Sequence, residues 1–400
     1  MLLAGSVQGK QELTIAHFWG GTEKELFDRV LDRFEELYPD VKLVRLAIPS
    51  EQYRATIGTQ VAAGTPPDVF LSAWPAQLNE LAAAGKLFPL DELWEEYDWG
   101  RYYTKAWKDL SVYEGHTYAV FFLANQRSVV WYTVSQFSEL DLKEPRTWDE
   151  FLEICDKFKA AGISPIITGG KDGWPLTDWF ENLILRVGGP DIFMKLARHE
   201  IPWTHPKVVE TLQVWKDLLD KGYFAPNLLG YGWWEAFLKR AKGEAGMDLM
   251  GGWVNGCTKE EFGWTPGVDF TYFIFPVIDP NIPTNWIEIS GNSFSIFKDA
   301  KNIEDAKTFL DFIISPEAGK VWAEIGRTTP NKLIPFYVYD ANAKKEAMDL
   351  ATYDVVFDLD DIIPTELSTE FRVQLQRFIA DPTKLQDVLA AIETKAKELY

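Results

Sequence analysis

The sequence predicts an α/β protein of two sandwich lobes, joined by strands that cross between them at a hinge. Three observations carry this. Residues 12–71 read strand, helix, strand, helix, strand with short connections, the pattern of a parallel sheet wrapped by helices. Residues 117–133 hold two runs of apolar, β-branched and aromatic residues, 118–123 and 129–133, around a polar break at 125–128. Together the runs are too long for one ordinary strand, and the break lacks the Asn-Gly or Asp-Gly of a tight hairpin. Residues 286–297 repeat this texture around a small polar break at 290–293. Both segments are read as crossings, against the alternative of paired strands joined by a loop. The expected division is 12–124 plus 291–330 in an N-terminal lobe and 125–290 plus 331–400 in a C-terminal lobe.

Taken in order, residues 1–11 precede the first strand. Leu2-Leu3-Ala4-Gly5-Ser6 resembles the end of a bacterial lipoprotein signal, with Ser6 where the lipid-bearing cysteine stands, so the segment is read as processing sequence. The strand 12–19 ends at Gly20-Gly21. Thr22 then opens a helix with Glu25 at the capping-box position, and Leu26, Val30, Phe34 and Leu37 recur at helical spacing. Pro39-Asp40 stops it. Strand 41–48, helix 52–63 and strand 68–71 follow. The carboxyl ends of these strands are where a parallel sheet presents ligand-binding residues.

Helices at 75–84, 87–97 and 101–110 lead to a hairpin-like turn at Glu114-Gly115 and then to the first crossing. Beyond it, Thr147 and Glu150 form a second capping box. A short strand at 164–168 ends in the glycine-rich loop 169–174, which lacks the Gly-Lys-Ser/Thr of a phosphate loop. Helices at 178–187, 206–221 and 233–241 and a strand at 270–275 repeat the α/β logic in the second lobe. After the return crossing come helices 303–314 and 316–325, a third crossing at 326–330, and helices 341–353, 366–380 and 383–399.

Composition narrows the function. A formal charge of -20 over 400 residues opposes binding to nucleic acid or to an anionic membrane face. Four scattered histidines show no metal-ligand spacing, so no metal and no cofactor is expected. Cys155 and Cys257 sit in apolar contexts and read as two buried thiols. The anomaly is tryptophan: 17 residues, with aromatics at 14%, exceed what a core of this size needs, and about half are expected to line a concave surface.

By Trp253 an ordered set of motifs has accumulated: Phe18-Trp19-Gly20-Gly21; Ala63-Gly64-Thr65-Pro66-Pro67-Asp68-Val69; Val130-Trp131-Tyr132 ahead of Pro145-Arg146-Thr147-Trp148-Asp149-Glu150-Phe151; the segment 243–253; and Ser315-Pro316-Glu317-Ala318. Over roughly 12–335 their order resembles the extracellular solute-binding proteins of carbohydrate ABC importers, the family that includes maltose-binding protein. Where that family often has Tyr-Asn with a following Lys, Thr133 and Val134 stand here. The resemblance implies a periplasmic-binding-protein-like fold and an extracytoplasmic protein, lipid-anchored or periplasmic. It also implies a monomer that delivers an oligosaccharide to the permease subunits of an ABC importer.

A pyranose has a flat apolar face and a rim of hydroxyls, which flat indoles and charged or amide side chains suit respectively. Candidates for stacking are Trp19, Trp74, Trp174, Trp233, Trp234, Trp253 and Trp286, with Tyr53 and Tyr231 as weaker ones. Candidates for the rim are Glu51, Asp68, Asn125, Asp172, Asn292 and Arg327. Bland readings stand beside several: Asp68 suits a loop cap, and Glu51 the first turn of a helix, where negative charge is favoured. Trp148, Trp215 and Trp322 are set aside as helix positions. The abundance of Trp favours an oligosaccharide, with a xylo- or manno-oligosaccharide as the type. The rivals are a glycoside hydrolase working with a carboxylate pair and an adhesin with an open groove. The chain carries no nucleophile elbow, zinc motif or cysteine–histidine signature, and the reading is of a binding protein, not an enzyme.

Overall fold

The computed structural model describes residues 11–400. Ser6 and the processing segment around it lie outside the described residues. The chain divides into two compact units. The first holds the described residues through Ala124 with Gly291–Ile325 and Thr329–Val338; the second holds Asn125–Ser290, Gly326–Thr328 and Tyr339–Tyr400. The chain leaves the first unit within the strand Val120–Gln126 and returns to it within the strand Trp286–Ile296.

In the first unit, Gln11–His17 is the middle of three parallel strands, flanked by Val41–Ala47 and Val69–Ser72. Ser293–Ile296 adds antiparallel beside Val69–Ser72. The helix Gly21–Leu37 buries Leu26, Phe27, Val30, Leu31 and Phe34, the face its sequence period predicts. It starts earlier than expected: Gly20 is the N-cap without a side-chain bond, so the Thr22 capping box does not form. Phe27 stacks on Trp322 at 5.9 Å, and Phe34 meets Phe309 edge-on at 5.4 Å. Each such ring, fully buried, contributes roughly 2–3 kcal/mol through lost apolar area.

The second unit has a four-stranded sheet in the order Phe270–Ile274, Val129–Thr133, Ala245–Leu249, Ser164–Ile167. Its last two strands are parallel, so their carboxyl ends open on one side. The Thr147–Glu150 capping box forms as expected and starts the helix Trp148–Ala160. The core is aromatic: Trp179, Trp203 and Trp215 are fully enclosed, together with Phe371 and Phe378 from the helix Thr365–Ala380. Cys155 and Cys257 are both free and buried.

Of the 17 tryptophans, nine are buried, among them Trp94, Trp99, Trp131 and Trp215. About half of the indoles are therefore buried, the share expected, and the other half keep exposed surface.

Candidate functional site

At the carboxyl end of the second unit's parallel strands, three indoles meet. Trp174 is the first residue of the helix Trp174–Val187, not part of the loop in which the sequence placed it. Trp233 opens the helix Trp233–Ala241. Trp253 precedes the helix Val254–Phe262. The ring of Trp174 lies 5.8 Å from Trp253 at 60° and 6.2 Å from Trp233 at 55°. Trp233 and Trp253 stand nearly perpendicular, 88° at 6.4 Å. Trp234 extends the group, edge-on to Trp233 at 5.3 Å. Trp174, Trp233 and Trp234 are half-buried, whereas Trp253 retains 8% of its surface.

Local sequence explains how the indoles come this close. A Cβ on Gly251 would sit 2.0 Å from the Trp253 ring, so only glycine lets that indole fold back. A Cβ on Gly169 would sit 2.3 Å from the Trp233 backbone nitrogen, so glycine again permits the approach of loop to helix. Asp172 then caps that helix: its Oδ2 accepts from the Trp233 N–H at 2.6 Å. Asp172 thus holds the platform through the backbone.

Beneath the indoles lies Arg127, which sequence reasoning did not select. Its guanidinium carbon is 4.7 Å from the Trp253 ring centre and 5.1 Å from that of Trp174. It donates to Asp178 and lies 3.3 Å from Asp358 through Nε. Asn182 Nδ2 donates to Glu288 at 2.6 Å, and both oxygens of Glu181 accept backbone N–H groups of Leu359 and Asp360. Burial would lower the arginine's pKa, but Asp178, Asp358, Glu288 and Asp361 together raise it. Burial raises Asp178 to about 6 even against the attraction of Arg127, and Asp360 adds to the rise. Arg127 is thus held charged by the carboxylates around it, whereas Asp178 is raised chiefly by burial.

Carboxylate oxygens of Glu181, Glu288 and Asp358, and of Asp358, Asp360 and Asp361, lie within 4.8 Å of one another. Guanidinium groups already occupy the cationic places among them: Arg127 at Asp358, and Arg372 at Asp360 and Asp361. The signal that could have revealed Arg127 was its place between two apolar strands, where a charge must find a partner.

The other predicted residues are placed differently. Trp19 is enclosed in the first unit's core by Phe27 at 4.9 Å, Trp322 at 5.9 Å and Phe122 at 6.2 Å, with 4% of its surface exposed, so its faces are taken by packing. Asp68 is a backbone tie: Oδ2 accepts from Thr14 N, and Oδ1 from Lys301 N and Asn302 N. Trp19 thus packs as core, and Asp68 takes the loop-cap reading that stood beside its candidacy; strand ends and capping positions share the sequence signature of sites. Trp286 packs half-buried on the second unit's core, with its carbonyl accepting from Arg186. Glu51 lies in the helix Ser50–Ala62, and its side chain is outside what the structure describes.

Trp74 is half-buried in the first unit, with the Arg54 guanidinium 4.0 Å over its ring and Phe18 at 5.1 Å. Tyr53 is fully buried, its hydroxyl donating to the Ala16 and Leu71 carbonyls. Asn292 is buried in its strand. Arg327 donates to Asn125 Oδ1 at 3.1 Å in the second unit. Close by in sequence, Thr328 donates to Glu346, whose other oxygen accepts from Gln126 N at 2.7 Å.

Residues 20–320 match the family of bacterial extracellular solute-binding proteins. The chain belongs to that family. An uncharacterised ABC transporter extracellular-binding protein of Pyrococcus horikoshii is 30% identical over 385 residues, 90% of this chain and 85% of its own. The alpha-glucosides-binding periplasmic protein of Rhizobium meliloti is 27% identical, over 89% of this chain and 81% of its own. Among solved structures, the bacterial solute receptor AcbH aligns with a TM-score of 0.89 at 24% identity, covering 98% of this chain and 99% of its own. A protein of xylan utilization by Caldanaerobius polysaccharolyticus aligns at 0.88 with 18% identity, covering 96% and 99%. At these identities the structural likeness is one of fold, a two-lobed mixed α/β solute-binding fold. No helix among the described residues is long and apolar enough to cross a membrane.

Proposed function

We propose that this solute-binding protein captures an oligosaccharide outside the cytoplasm and delivers it to the permease subunits of an ABC importer. The observation that carries the reading is the group of Trp174, Trp233 and Trp253, two of whose rings, Trp174 and Trp253, lie over Arg127. Near-perpendicular indoles offer a flat sugar ring one face to stack on and an edge to abut. In the family, the relative from Rhizobium meliloti is named for alpha-glucosides, AcbH for a preference for β-D-galactopyranose, and another neighbour holds raffinose. These relatives support a carbohydrate ligand without choosing among sugars; xylo- and manno-oligosaccharides remain the proposed type.

In this reading Trp174, Trp233, Trp234 and Trp253 stack the sugar, and Asn125 and Arg327 bond its rim. Ligand favours the closed arrangement of the lobes, and closure reports occupancy to the importer. The protein acts as a monomer and makes or breaks no bond. The clustered carboxylates of the second unit suit this better than hydrolysis: Glu181 and Glu288 are wholly buried and engaged with backbone N–H and amide groups, so they do not flank a bond from opposite sides.

Titration calorimetry with maltotriose, raffinose, xylotriose and mannotriose tests the proposal. One of them should bind at micromolar affinity or tighter and raise the melting temperature. Absence of heat and of any thermal shift across the set, or turnover of the sugar to shorter products, defeats it.

A further inference from the structure

The helix Trp233–Ala241 carries a second polar feature. Trp233, Ala236, Phe237 and Arg240 recur at the spacing of one helix face, and the last three are buried. Arg240 has no exposed surface, and none of its three guanidinium nitrogens has a hydrogen-bond partner in the protein. Asp248, 1% exposed, likewise has two carboxylate oxygens without a partner. Asp248 is the fourth residue of the strand Ala245–Leu249, in register with Trp131 and Ile167 on the neighbouring strands. It therefore lies near the carboxyl end of that strand, the end at which Trp174, Trp233 and Trp253 gather.

A helical side chain leans toward the helix N-terminus. The guanidinium carbon of Arg240 accordingly lies 5.6 Å from the ring centre of Phe237, nearer the N-terminal end that Trp233 opens. Opposite charges buried this deeply normally pair or bond elsewhere, because an unmade bond to a charged group costs more than a neutral one. Here burial outweighs their attraction on both sides: Arg240 is pulled down to about 10 and Asp248 pushed up to about 8. Trp131, in register with Asp248, packs in one cluster with Phe237 of Arg240's helix and with Trp253, and Trp174 and Trp233 lie against that cluster, which sets the pair beside the aromatic group.

We propose that Arg240 and Asp248 form a buried hydroxyl-reading subsite behind Trp233, in which one oxygen accepts from the guanidinium and donates to the carboxylate. This rests on the carbohydrate reading above and deepens it. A neutral hydroxyl fits because a single atom serves both partners. An anion is repelled by Asp248 and Asp178, and a cation by Arg240. Water and a sugar hydroxyl share this chemistry. The proposal assigns the position to a ligand hydroxyl when the site is filled.

Two arms test it. In a high-resolution crystal structure of the unliganded full chain, an oxygen should lie within about 2.6–3.2 Å of both groups. A direct Arg240–Asp248 bond, or protein partners for both and no oxygen between them, overturns the proposal. In the second arm, affinity for whichever of maltotriose, raffinose, xylotriose and mannotriose binds is followed from pH 6 to 9. The bridge needs the ionised carboxylate, so affinity should rise with pH as Asp248 loses its proton, and Asp248→Asn should flatten the profile and weaken binding about tenfold or more. The groups facing Asp248 are Arg240 and Asp178; Trp131 and Ile167 beside it do not titrate in this range. Should Asp248→Asn fail to fold, the double variant Arg240→Leu with Asp248→Leu, which leaves no stranded charge, takes its place with the same expectation. An unchanged affinity and pH profile assigns the oxygen to retained water and overturns the ligand role. If no sugar binds the wild-type chain, the carbohydrate reading fails, and the crystallographic arm still judges the bridge on its own.

Discussion

The guanidinium carbon of Arg127 lies 4.7 Å from the centre of the Trp253 ring while the same group is ion-paired to Asp178 and Asp358. One side chain therefore joins a buried carboxylate cluster to an aromatic seat. Arg127→Leu strands two buried carboxylates, and breaking a buried pair from one side costs about 3–5 kcal/mol. Urea unfolding should register that loss. Arg127→Lys keeps the charge but not the planar group that lies over two indoles. It should retain most of the stability and lose about tenfold in sugar affinity by calorimetry. Wild-type affinity in the lysine variant contradicts the stacking role.

Tryptophans of the two classes should separate cleanly. Trp174→Ala and Trp233→Ala remove half-buried platforms, so each should weaken sugar binding by about 1–2 kcal/mol, or roughly 5- to 30-fold, with little change in melting temperature. Trp19→Ala opens a cavity in the first unit's core and should cost about 3–5 kcal/mol of stability while the folded fraction keeps its affinity. Paired thermal melts and titrations decide this. A Trp19 variant that is stable but blind to sugar reverses the assignment.

Asp68 ties the first strand to the start of the helix Ile303–Ile314 through three backbone donors. Removing the carboxylate with Asp68→Ala leaves those donors without their acceptor, a loss of about 3 kcal/mol. Denaturant midpoints should fall and sugar affinity should stay within about twofold of wild type. An affinity loss larger than the stability loss restores Asp68 to the binding site.

The pH dependence has two limbs of opposite sign. Burial pulls His17 down from 6.5 to about 4, so between those values the unfolded chain binds the proton that the fold refuses. Its contribution is present above pH 6.5 and is lost as pH falls toward 4. Burial pushes Glu346 up from 4.5 to about 7, so its contribution is full below pH 4.5 and is lost as pH rises through 7. Stability measured by urea unfolding across pH 4–8 should become flatter on the acid limb in His17→Phe and flatter toward neutral pH in Glu346→Gln. Unchanged slopes in both variants would falsify these assignments.

Much of the fold was legible because its signals are local. The capping box at Thr147 and Glu150, the turn at Glu114-Gly115 and the helix Trp233–Ala241 formed as their residues predict. The pair Gly20-Gly21 misled, since the helix begins at the glycines and not at Thr22. The candidate site was less legible, because an exposed indole and a core indole carry the same letter. Trp19 and Trp74 both follow a strand of the first unit, yet Phe27, Phe122 and Trp322 close over Trp19 while Trp74 stays half-buried. Arg127, Asp178 and Asp358 are far apart in sequence, and Arg240 is separated from Asp248 by a turn between helix and strand. The pairing of the first three and the nearness of the last two depend on packing that no local pattern states.

The most direct test is a crystal structure of the full chain with the tightest-binding sugar of the calorimetric set. A pyranose ring should lie parallel to, and about 4 Å from, an indole of Trp174, Trp233 or Trp253, consistent with ordinary carbon–carbon contact. A sugar bound away from all three, with the Arg127-centred indoles untouched, contradicts the account.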